Sequence, residues 1–567
     1  MPPNPIKMKA TEMKQFRIVI QRFLVWMLLS LLPLASMGQQ KEVRVVKPYS
    51  PTLSGAQKIE LLPGLDEEIE FEVPVINYQL FPKRYESEFQ LEPIVAARMV
   101  TMPLERLYKS QLTLGFGNYL TPLAELHINQ LRSRNGTFGL HLKHHSMNGK
   151  LKLDNDQKVP AGFNENELDL YGSRFLKNSV FEYNAGASYN SYVHYGIDPE
   201  LDTSLTREQT LHPYFTAKGA IGLHSMHADS FHLNYDAALE YAYFTHEFDQ
   251  AEHGVKLNLE FDKKLRMVDI AGQLGGEFLG HYPDWDTTVG SLTTFWLNPA
   301  IGKSSAQWRF TAGINVHGEV SQEAFTPHLY PRASFQFNMV KEVIVPYFGV
   351  DGYLESNSYR RIVDENPYIE PTLGIKPTNH KLIAYFGLKG RFSKAVAYNL
   401  KASYSIIDDA YFYVNDNSDL LLNQFVVVYD DVTLGTLHGE LTVRPSDSWK
   451  FFLKGNYHNY LTMVREDHPW NKPLFDISLQ ARYSMRDKII LTAGIYTIGE
   501  RYFENFDPVL EETLPLAVDV NLGLEYRYSK LLSFWVRFNN LAAQPYYLYH
   551  QYPAYRFRAM VGFSYAL

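Results

Sequence analysis

The chain ends in the alternating segment YRFRAMVGFSYAL (Tyr555–Leu567), and this segment decides the fold. Its odd positions are apolar or aromatic, and none is charged: Tyr555, Phe557, Ala559, Val561, Phe563, Tyr565 and Leu567. Its even positions are small, polar or charged in the main: Arg556, Arg558, Met560, Gly562, Ser564 and Ala566. A period of two predicts a β-strand with one apolar face. That face packs on a core in a soluble protein or contacts lipid in a membrane protein, and the rest of the chain must distinguish the two.

Other segments repeat the pattern over unusual lengths, notably 383–392, 474–485 and 516–528. Their polar faces carry full charges such as Asp476, Arg482 and Glu525. An unpaired buried charge costs several kcal/mol, so these faces cannot lie in a dry core. Strands of globular domains usually have about 5–6 residues, whereas transmembrane barrel strands have about 9–11, with apolar residues outside and polar residues inside. The pattern therefore predicts membrane-spanning strands.

The breaks between these segments alternate between short and long. Short breaks include 133–136, 302–305 and 485–488, and long ones include 355–379, 500–514 and 541–554. Transmembrane barrels have short periplasmic turns and longer extracellular loops. Strands in lipid must belong to a closed sheet, because every backbone polar group needs a partner there. We therefore predict an all-β fold, a transmembrane antiparallel β-barrel of about 22 strands (18–22) over residues 108–567.

The N-terminus predicts export. Basic residues Lys14, Arg17 and Arg22 precede the apolar run 23–34, and the small residues Ala35, Ser36 and Gly38 follow it. This order is typical of a signal peptide, and we place its cleavage after Gly38. The run is too short for a transmembrane helix, which needs about 20 apolar residues. Residues 1–38 are thus expected to be a signal peptide, and the mature protein to lie in the outer membrane of a Gram-negative cell.

The C-terminal sequence WVRFNNLAAQPYYLYHQYPAYRFRAMVGFSYAL (535–567) resembles the last hairpin of TonB-dependent outer-membrane receptors. In those receptors an Asn-Leu pair, here Asn540 and Leu541, precedes a tyrosine-rich loop and a final aromatic strand. The segment KASYSIIDDAYFYVND (401–416) is similar to their strands that continue above the membrane. The set looks most like the receptor-like barrels of Bacteroidota. The resemblance implies transport across the outer membrane.

The segment before the barrel departs from that family. Only residues 39–107 are available for a plug domain, and they contain no recognisable plug motif. The segment is rich in proline and includes one acidic alternating stretch, EEIEFEVPV (67–75). A domain this short is marginal without disulfides or a metal. We expect an extended periplasmic or lumenal segment that binds a periplasmic partner or a surface lipoprotein, in addition to the lipid around the barrel.

Composition excludes several functions. The sequence has no cysteine, which removes disulfides, thiolate metal sites, a cysteine nucleophile and a lipoprotein anchor. The net charge of −8 argues against a nucleic-acid partner, which needs a basic surface. No phosphate loop, serine-nucleophile motif or HExxH motif is present. We therefore expect no enzyme activity, no catalytic residues and no cofactor.

One histidine cluster is dense enough to consider as a metal site, HLKHH (141–145). Alternation places His141, Lys143 and His145 on one face, and strand pairing could bring His127 or Glu125 close to them. Imidazole and carboxylate groups can hold zinc. The lysine between the two histidines disfavours a cation, so the expectation is a polar lumen wall without a metal. The carboxylate pairs Asp408–Asp409, Asp430–Asp431 and Glu511–Glu512 are expected to be solvated loop charges.

Aromatic residues concentrate in two predicted loops near the C-terminus. The candidates for a ligand-binding or partner-binding loop are Tyr546, Tyr547, Tyr549, Tyr552, Tyr502 and Phe503. Exposed aromatic residues in number bind sugars or protein partners. Alternatively, they extend the aromatic girdle or pack the loops together. The loop YRRIVDENPYIEP (359–371) suits a folded lid or a docking surface.

Three functions fit these observations. The first is a receptor-like transport barrel, and the second is a non-transporting scaffold subunit of an outer-membrane assembly or secretion complex. The third is an enzyme with its active site on the barrel rim, for which no positive sign exists. A transport barrel would conduct or take up a solute, whereas a scaffold would copurify with defined partners in a fixed ratio.

Overall fold

A computed structural model describes residues 108–567, apart from ten short gaps. The gaps are 131–132, 154–155, 198–205, 227–231, 247–249, 283–290, 322–323, 371–373, 419–420 and 505–511. The predicted signal peptide (1–38), the N-terminal segment (39–107) and the glutamate pair at 511–512 fall wholly or partly outside the described residues.

Twenty-two strands form one antiparallel sheet that closes on itself. The first eleven are β1 Ser110–Gly117, β2 Thr121–Asn129, β3 Gly136–Lys152, β4 Lys158–Phe175, β5 Ser179–Val193, β6 Leu211–Ser225, β7 Asn234–His246, β8 Ala251–Lys264, β9 Asp269–Tyr282, β10 Leu292–Ser304 and β11 Trp308–Val320. The others are β12 Phe325–Phe337, β13 Val345–Glu355, β14 Thr378–Ser393, β15 Val396–Asn415, β16 Phe425–Ser446, β17 Trp449–Met463, β18 Phe475–Met485, β19 Ile489–Ile498, β22 Ala517–Arg527, β23 Leu532–Asn539 and β26 Arg558–Ala566. The predicted barrel and its strand number are confirmed.

The C-terminal strand closes the cylinder. Strand β26 pairs with β23 on one side and with β1 on the other, where Leu112 lies opposite Tyr565. Beyond the last ladder pair, the Lys109 amide donates to the Leu567 carbonyl at 2.8 Å, and the Leu567 amide donates to Ser110 at 2.7 Å. The final strand therefore has no open edge, which is the condition for placing strands in lipid.

The two faces of the strands separate as the alternation predicts. The apolar residues of the sampled segments are exposed on the outside, for example Phe386, Ile477, Leu524 and Val561, with 41–58% of their surface accessible. Their neighbours in sequence face the lumen, where Asp476 accepts two hydrogen bonds from Asn456. The barrel thus has an apolar exterior and a polar interior, the arrangement of outer-membrane barrels.

The connections differ at the two ends of the barrel. One end, which we call the turn end, carries short turns such as 394–395, 447–448 and 486–488. The other end, the loop end, carries the connections 194–210, 356–377, 499–516 and 540–557. Strands β15 and β16 extend at this end, with a register shift between Ile407 and Ala410. Residues 401–415 thus form the loop-end part of a 20-residue strand, and the continuation of segment 401–416 above the membrane stays a prediction.

Small elements are built into the connections of the loop end. They are the helices α1 (Arg207–Thr210) and α2 (Tyr359–Glu365), and the hairpins β20 (Arg501–Phe503) with β21 (Glu512–Leu514) and β24 (Tyr547–Tyr549) with β25 (Tyr552–Pro553). Within the described residues, neither helix has the length and apolar composition needed to cross a bilayer.

Candidate functional site

The loop end of the barrel contains a hydrophobic core of its own, which we call the loop core. Its buried members come from the strand ends and from the long connections. They are Met147, Leu151, Leu153, Val159, Ala161, Val193, Tyr195, Ile197, Tyr214, Phe244, Tyr359, Ile362, Val363, Tyr368, Ile369, Ile375, Tyr413, Phe425, Tyr552 and Tyr555. Burial of this much apolar surface fixes the connections over the mouth of the barrel.

The centre of the loop core is the segment 356–370, which we call the lid loop. Helix α2 begins after Ser358, whose hydroxyl accepts a hydrogen bond from the Arg361 amide at 3.2 Å. A second cap comes from the barrel wall, because the buried Glu252 carboxylate of β8 accepts from the Tyr359 amide at 2.6 Å. A carboxylate at this position satisfies free amides and favours the positive end of the helix dipole. The wall thus holds the helix by its first turn.

The backbone of the lid loop is hydrogen-bonded to the connection 194–210 and to strands β6 and β16. The Pro367 carbonyl accepts hydrogen bonds from His194 Nε2 at 3.0 Å and from the Tyr214 hydroxyl at 2.9 Å. The Phe425 amide donates to the Tyr368 carbonyl at 2.9 Å, and the Phe425 carbonyl accepts from Glu370 at 2.9 Å. Ile369 of the lid loop thus forms a single parallel β-bridge with Phe425, the first residue of β16.

Two of the predicted aromatic residues pack directly on the lid loop. The ring of Tyr552 stacks on Tyr368, with 3.7 Å between ring centroids, and its hydroxyl donates to the Asn423 carbonyl. The Tyr549 hydroxyl donates to the Glu365 carbonyl at 2.8 Å. Tyr552 has no exposed surface, whereas Tyr549 is half-buried. Burial raises the pKa of Tyr368 to about 12, so its hydroxyl stays protonated at neutral pH.

The other four predicted aromatic residues contact neighbouring loops and one strand end. Tyr502 stacks on His468 at 4.1 Å between centroids, and the buried Phe503 stacks on His550 at 3.8 Å. The Tyr546 hydroxyl donates to Asp519 at 3.2 Å, and the Tyr547 carbonyl accepts from Arg501 at 2.5 Å. All six residues therefore make contacts within the loop end of the barrel. Their role toward a ligand or partner stays a prediction.

A charged group lies between the lid loop and β15. The Glu365 carboxylate pairs with Lys472 and accepts from the Tyr411 hydroxyl at 2.6 Å. The Lys472 ammonium also lies 4.8 Å from the ring centroid of Tyr413. Burial alone would raise the pKa of Glu365, but Lys472 and the tyrosine hydroxyls lower it below its ordinary value. The Glu365 carboxylate therefore remains ionised at neutral pH, and its pairing with Lys472 holds the C-terminus of α2.

The sequence did not predict the structural role of three polar residues that organise this end. Glu252 sits in an ordinary alternating strand, and nothing nearby in sequence signals its contact with α2. Asp430 was expected to be a solvated charge but is fully buried, and it accepts from the amides of Val464, Arg465 and Glu466 at 2.8–3.1 Å. Asn540 has a φ of 46° and binds both Gln544 and the Tyr555 carbonyl. The Asn-Leu pair was the available signal for Asn540.

The histidine cluster lies in the lumen wall, on β2 and β3. His141, Lys143 and His145 face the lumen, where Lys143 pairs with Glu167 at 2.9 Å. Strand pairing does bring Glu125 and His127 beside His141. His144 binds Asn166 on the opposite face of the sheet.

Comparison with known proteins shows similarity at the level of the fold. No protein-family model matches the chain, and no curated protein matches it either. Among solved structures, the ferric enterobactin receptor PfeA of Pseudomonas aeruginosa is similar, with a TM-score of 0.59 and 12% identity over 81% of each chain. The ferric-catecholate import receptor Fiu of E. coli has a TM-score of 0.60 and 10% identity over 82% of each chain. The siderophore receptor PirA of Acinetobacter baumannii has a TM-score of 0.62 and 9% identity over 81% of this chain and 80% of its own.

These comparisons confirm the predicted resemblance for the barrel. Identities near 10% establish a shared fold and carry no ligand from those receptors to this chain. The fold is that of receptor-type outer-membrane barrels.

Proposed function

We propose that the protein is an outer-membrane transport barrel that receives its ligand at the loop end and passes it through the lumen. The observation that carries this proposal is the closed 22-stranded sheet with a polar interior. A barrel of this size encloses a lumen wide enough for a solute, and barrels of 22 strands serve outer-membrane transporters. The similar solved structures are receptors, which favours transport over the scaffold role and over enzyme activity.

The lid loop is the proposed gate. It closes over the mouth through hydrogen bonds, ring stacking and one ion pair, all of which can be broken and remade without a covalent change. Tyr502, Tyr547 and Tyr549 keep part of their surface exposed, so they are the members of the aromatic set through which a ligand or partner would make contact. Phe503, Tyr546 and Tyr552 are buried.

The N-terminal part completes the proposal. Residues 1–38 direct export and are cleaved, and residues 39–107 bind a periplasmic partner or a surface lipoprotein. The alternating stretch 67–75 supports this role, because such a stretch can add a strand to a partner's sheet.

The gate is tested in cells that express the full chain with residues 358–370 replaced by a Gly-Ser linker of equal length. We expect this variant to sensitise cells to a bulky hydrophilic antibiotic at least about tenfold, because an open lumen admits it. The control replaces the turn 486–488 in the same way and should leave sensitivity unchanged. A second variant that also lacks residues 39–107 tests whether that segment fills the lumen.

If neither lid variant changes permeability while both barrels assemble, the transport path through the loop end is wrong. A gentle detergent pull-down with quantitative mass spectrometry distinguishes the scaffold role. Recovery of a surface lipoprotein or an energising partner in a fixed ratio supports transport. Recovery of insertion or secretion components in a fixed ratio overturns it.

A further inference from the structure

We propose that the lumen wall contains a binding site for a divalent transition-metal ion of the zinc class, formed by Glu125, His127 and His141. The three side chains lie on the neighbouring strands β2 and β3, and their ligand atoms are all within 4.8 Å of one another. The proposal does not depend on the transport function, because it rests on the geometry of the wall alone.

Both imidazole nitrogens lie close to one carboxylate oxygen. The Glu125 Oε1 atom lies 2.9 Å from His127 Nε2 and 3.2 Å from His141 Nε2. The two imidazole rings are parallel, with 4.4 Å between centroids and 11° between planes. Both rings therefore direct the same nitrogen at the same carboxylate oxygen.

These separations suit a metal ion after a small movement. Zinc binds imidazole nitrogen at about 2.0–2.1 Å and carboxylate oxygen at about 2.0–2.2 Å, so the ligand atoms of a tetrahedral site stand roughly 3.3 Å apart. The two measured contacts with Glu125 are within a few tenths of an ångström of that value. Two short hydrogen bonds would be exchanged for three coordinate bonds. Each imidazole would bind the metal through an Nε2 atom without a proton and would keep its one N–H on Nδ1.

A supporting carboxylate is in place. The other ring nitrogen of His141, Nδ1, lies 3.3 Å from Asp169 Oδ2 on β4. A ligand histidine commonly donates its second N–H to a carboxylate, which orients the ring and makes the ligand nitrogen more basic. Asp169 is itself fixed by Lys218 at 3.2 Å. The arrangement distinguishes His141 from a histidine in a merely polar wall.

Neighbouring carboxylates offset the positive charge of Lys143, the lysine that disfavours a cation in the sequence. Lys143 lies 2.9 Å from Glu167 and 3.6 Å from Glu165, so two carboxylates offset its charge. The charge of Arg537 interacts electrostatically with Glu525 as well as with Glu125. The local balance of positive and negative charges therefore tolerates a bound cation.

A second set of donors, His141 with Glu167 and Asp169, is weaker. It offers one imidazole instead of two, and Glu167 is already bonded to Lys143. In the proposed set, three protein ligands leave a fourth position open to water. The side chains of His127, Glu125 and His141 are 36%, 31% and 17% exposed, so the ion can enter and leave through the lumen. Imidazole with carboxylate suits zinc, nickel, copper or iron rather than calcium or magnesium.

The test uses the purified full-length protein in detergent, with an affinity tag that contains no histidine. Zinc is titrated by calorimetry against a competing chelator, and cobalt is added separately to follow its visible absorption. We expect one zinc ion per chain and the intense absorption of tetrahedral cobalt. His127→Gln and His141→Gln should each lower the affinity more than tenfold and abolish the cobalt spectrum. Asp169→Asn should lower it by about 10–100-fold.

The matched control is His145→Gln. It removes a lumen-facing histidine of the same strand, which packs edge-to-face against Phe163 and lies 3.8 Å from Glu165. It should leave affinity and spectrum unchanged. The heat-dependent shift of the barrel on gels shows that each variant is folded. Absence of stoichiometric binding, or equal loss in His145→Gln and His141→Gln, would overturn the site.

Discussion

Tyr552 is the residue on which the C-terminal loop and the lid loop converge. Its ring has no exposed surface and stacks on Tyr368, while its hydroxyl binds the Asn423 carbonyl. We expect Tyr552→Ala to destabilise the closed loops by about 3–5 kcal/mol, because it opens a cavity. Tyr552→Phe should cost about 1 kcal/mol, since it removes a single hydrogen bond. Hydrogen exchange of the amides in 540–557 and 356–370 measures both, and equal effects would contradict the role of the ring.

His194 makes the lid loop sensitive to pH. Its Nε2 atom binds Pro367 of the lid loop, and its ring stacks on His212 at 3.8 Å and lies near Tyr368. Burial, reinforced by His212, lowers the pKa of His194 well below its ordinary value. The released state of the loop binds a proton more readily than the closed state, so closure is favoured above about pH 6.5 and weakens as the pH falls below it.

Amide exchange of 359–370 should therefore be faster at pH 5.5 than at pH 7.5, after correction for the intrinsic exchange rate. His194→Gln keeps a donor for the Pro367 carbonyl but does not titrate, so most of this pH dependence should disappear. His212→Gln tests the contribution of the stacked partner. An unchanged pH dependence in both variants would show that other groups control the loop.

At the scale of elements, helix α2 is too short to be stable by itself, so its position depends on the wall. Glu252→Gln keeps an acceptor for the Tyr359 amide but removes the charge near the helix N-terminus. We expect a loss of about 0.3–2 kcal/mol from the weakened interaction with the dipole. Hydrogen exchange of the α2 amides measures this loss of stability. The control Glu240→Gln removes a carboxylate of the neighbouring strand β7, and a similar loss there would contradict the capping role.

The elements also show what sequence could and could not predict. Strands are predictable because the period of two is set by the chain itself, and segments 474–485 and 516–528 became β18 and β22 with the expected faces outward. The lid loop was predicted to fold, but its contacts were not, because Glu252 lies more than a hundred residues before α2. Similarly, strand alternation placed His141 and His145 on one face, while the approach of Asp169 depended on the register of β3 and β4.

At the scale of the whole molecule, the pairing between β26 and β1, which we call the closing seam, leaves little room for a side chain at Gly562. A Cβ atom added at Gly562 would lie 2.3 Å from the Leu114 carbonyl oxygen and 2.3 Å from the Trp535 ring. Because one of these atoms is backbone of the facing strand, Gly562→Ala must displace the seam. We expect a loss of about 1–3 kcal/mol and a smaller fraction of barrel that resists detergent without heating.

The matched control for the seam is Gly219→Ala on β6, where the nearest atom to an added Cβ is 3.8 Å away. This variant should assemble like the parent protein. If Gly562→Ala assembles equally well, the seam is looser than the contacts indicate. The same gel assay, which separates closed from unfolded barrel before and after heating, measures both variants.

The hydrogen bonds between Lys109, Ser110 and Leu567 have one more consequence. They place the first and the last strand of the barrel side by side on one rim. The same set of strand pairs can therefore form from a chain in which the strands follow one another from a different starting strand. A short peptide could join Leu567 to Lys109, and the ring could be cut instead at a tight reversal such as 486–488. A circularly permuted barrel of this kind would keep every strand neighbour while a different strand came last in the chain.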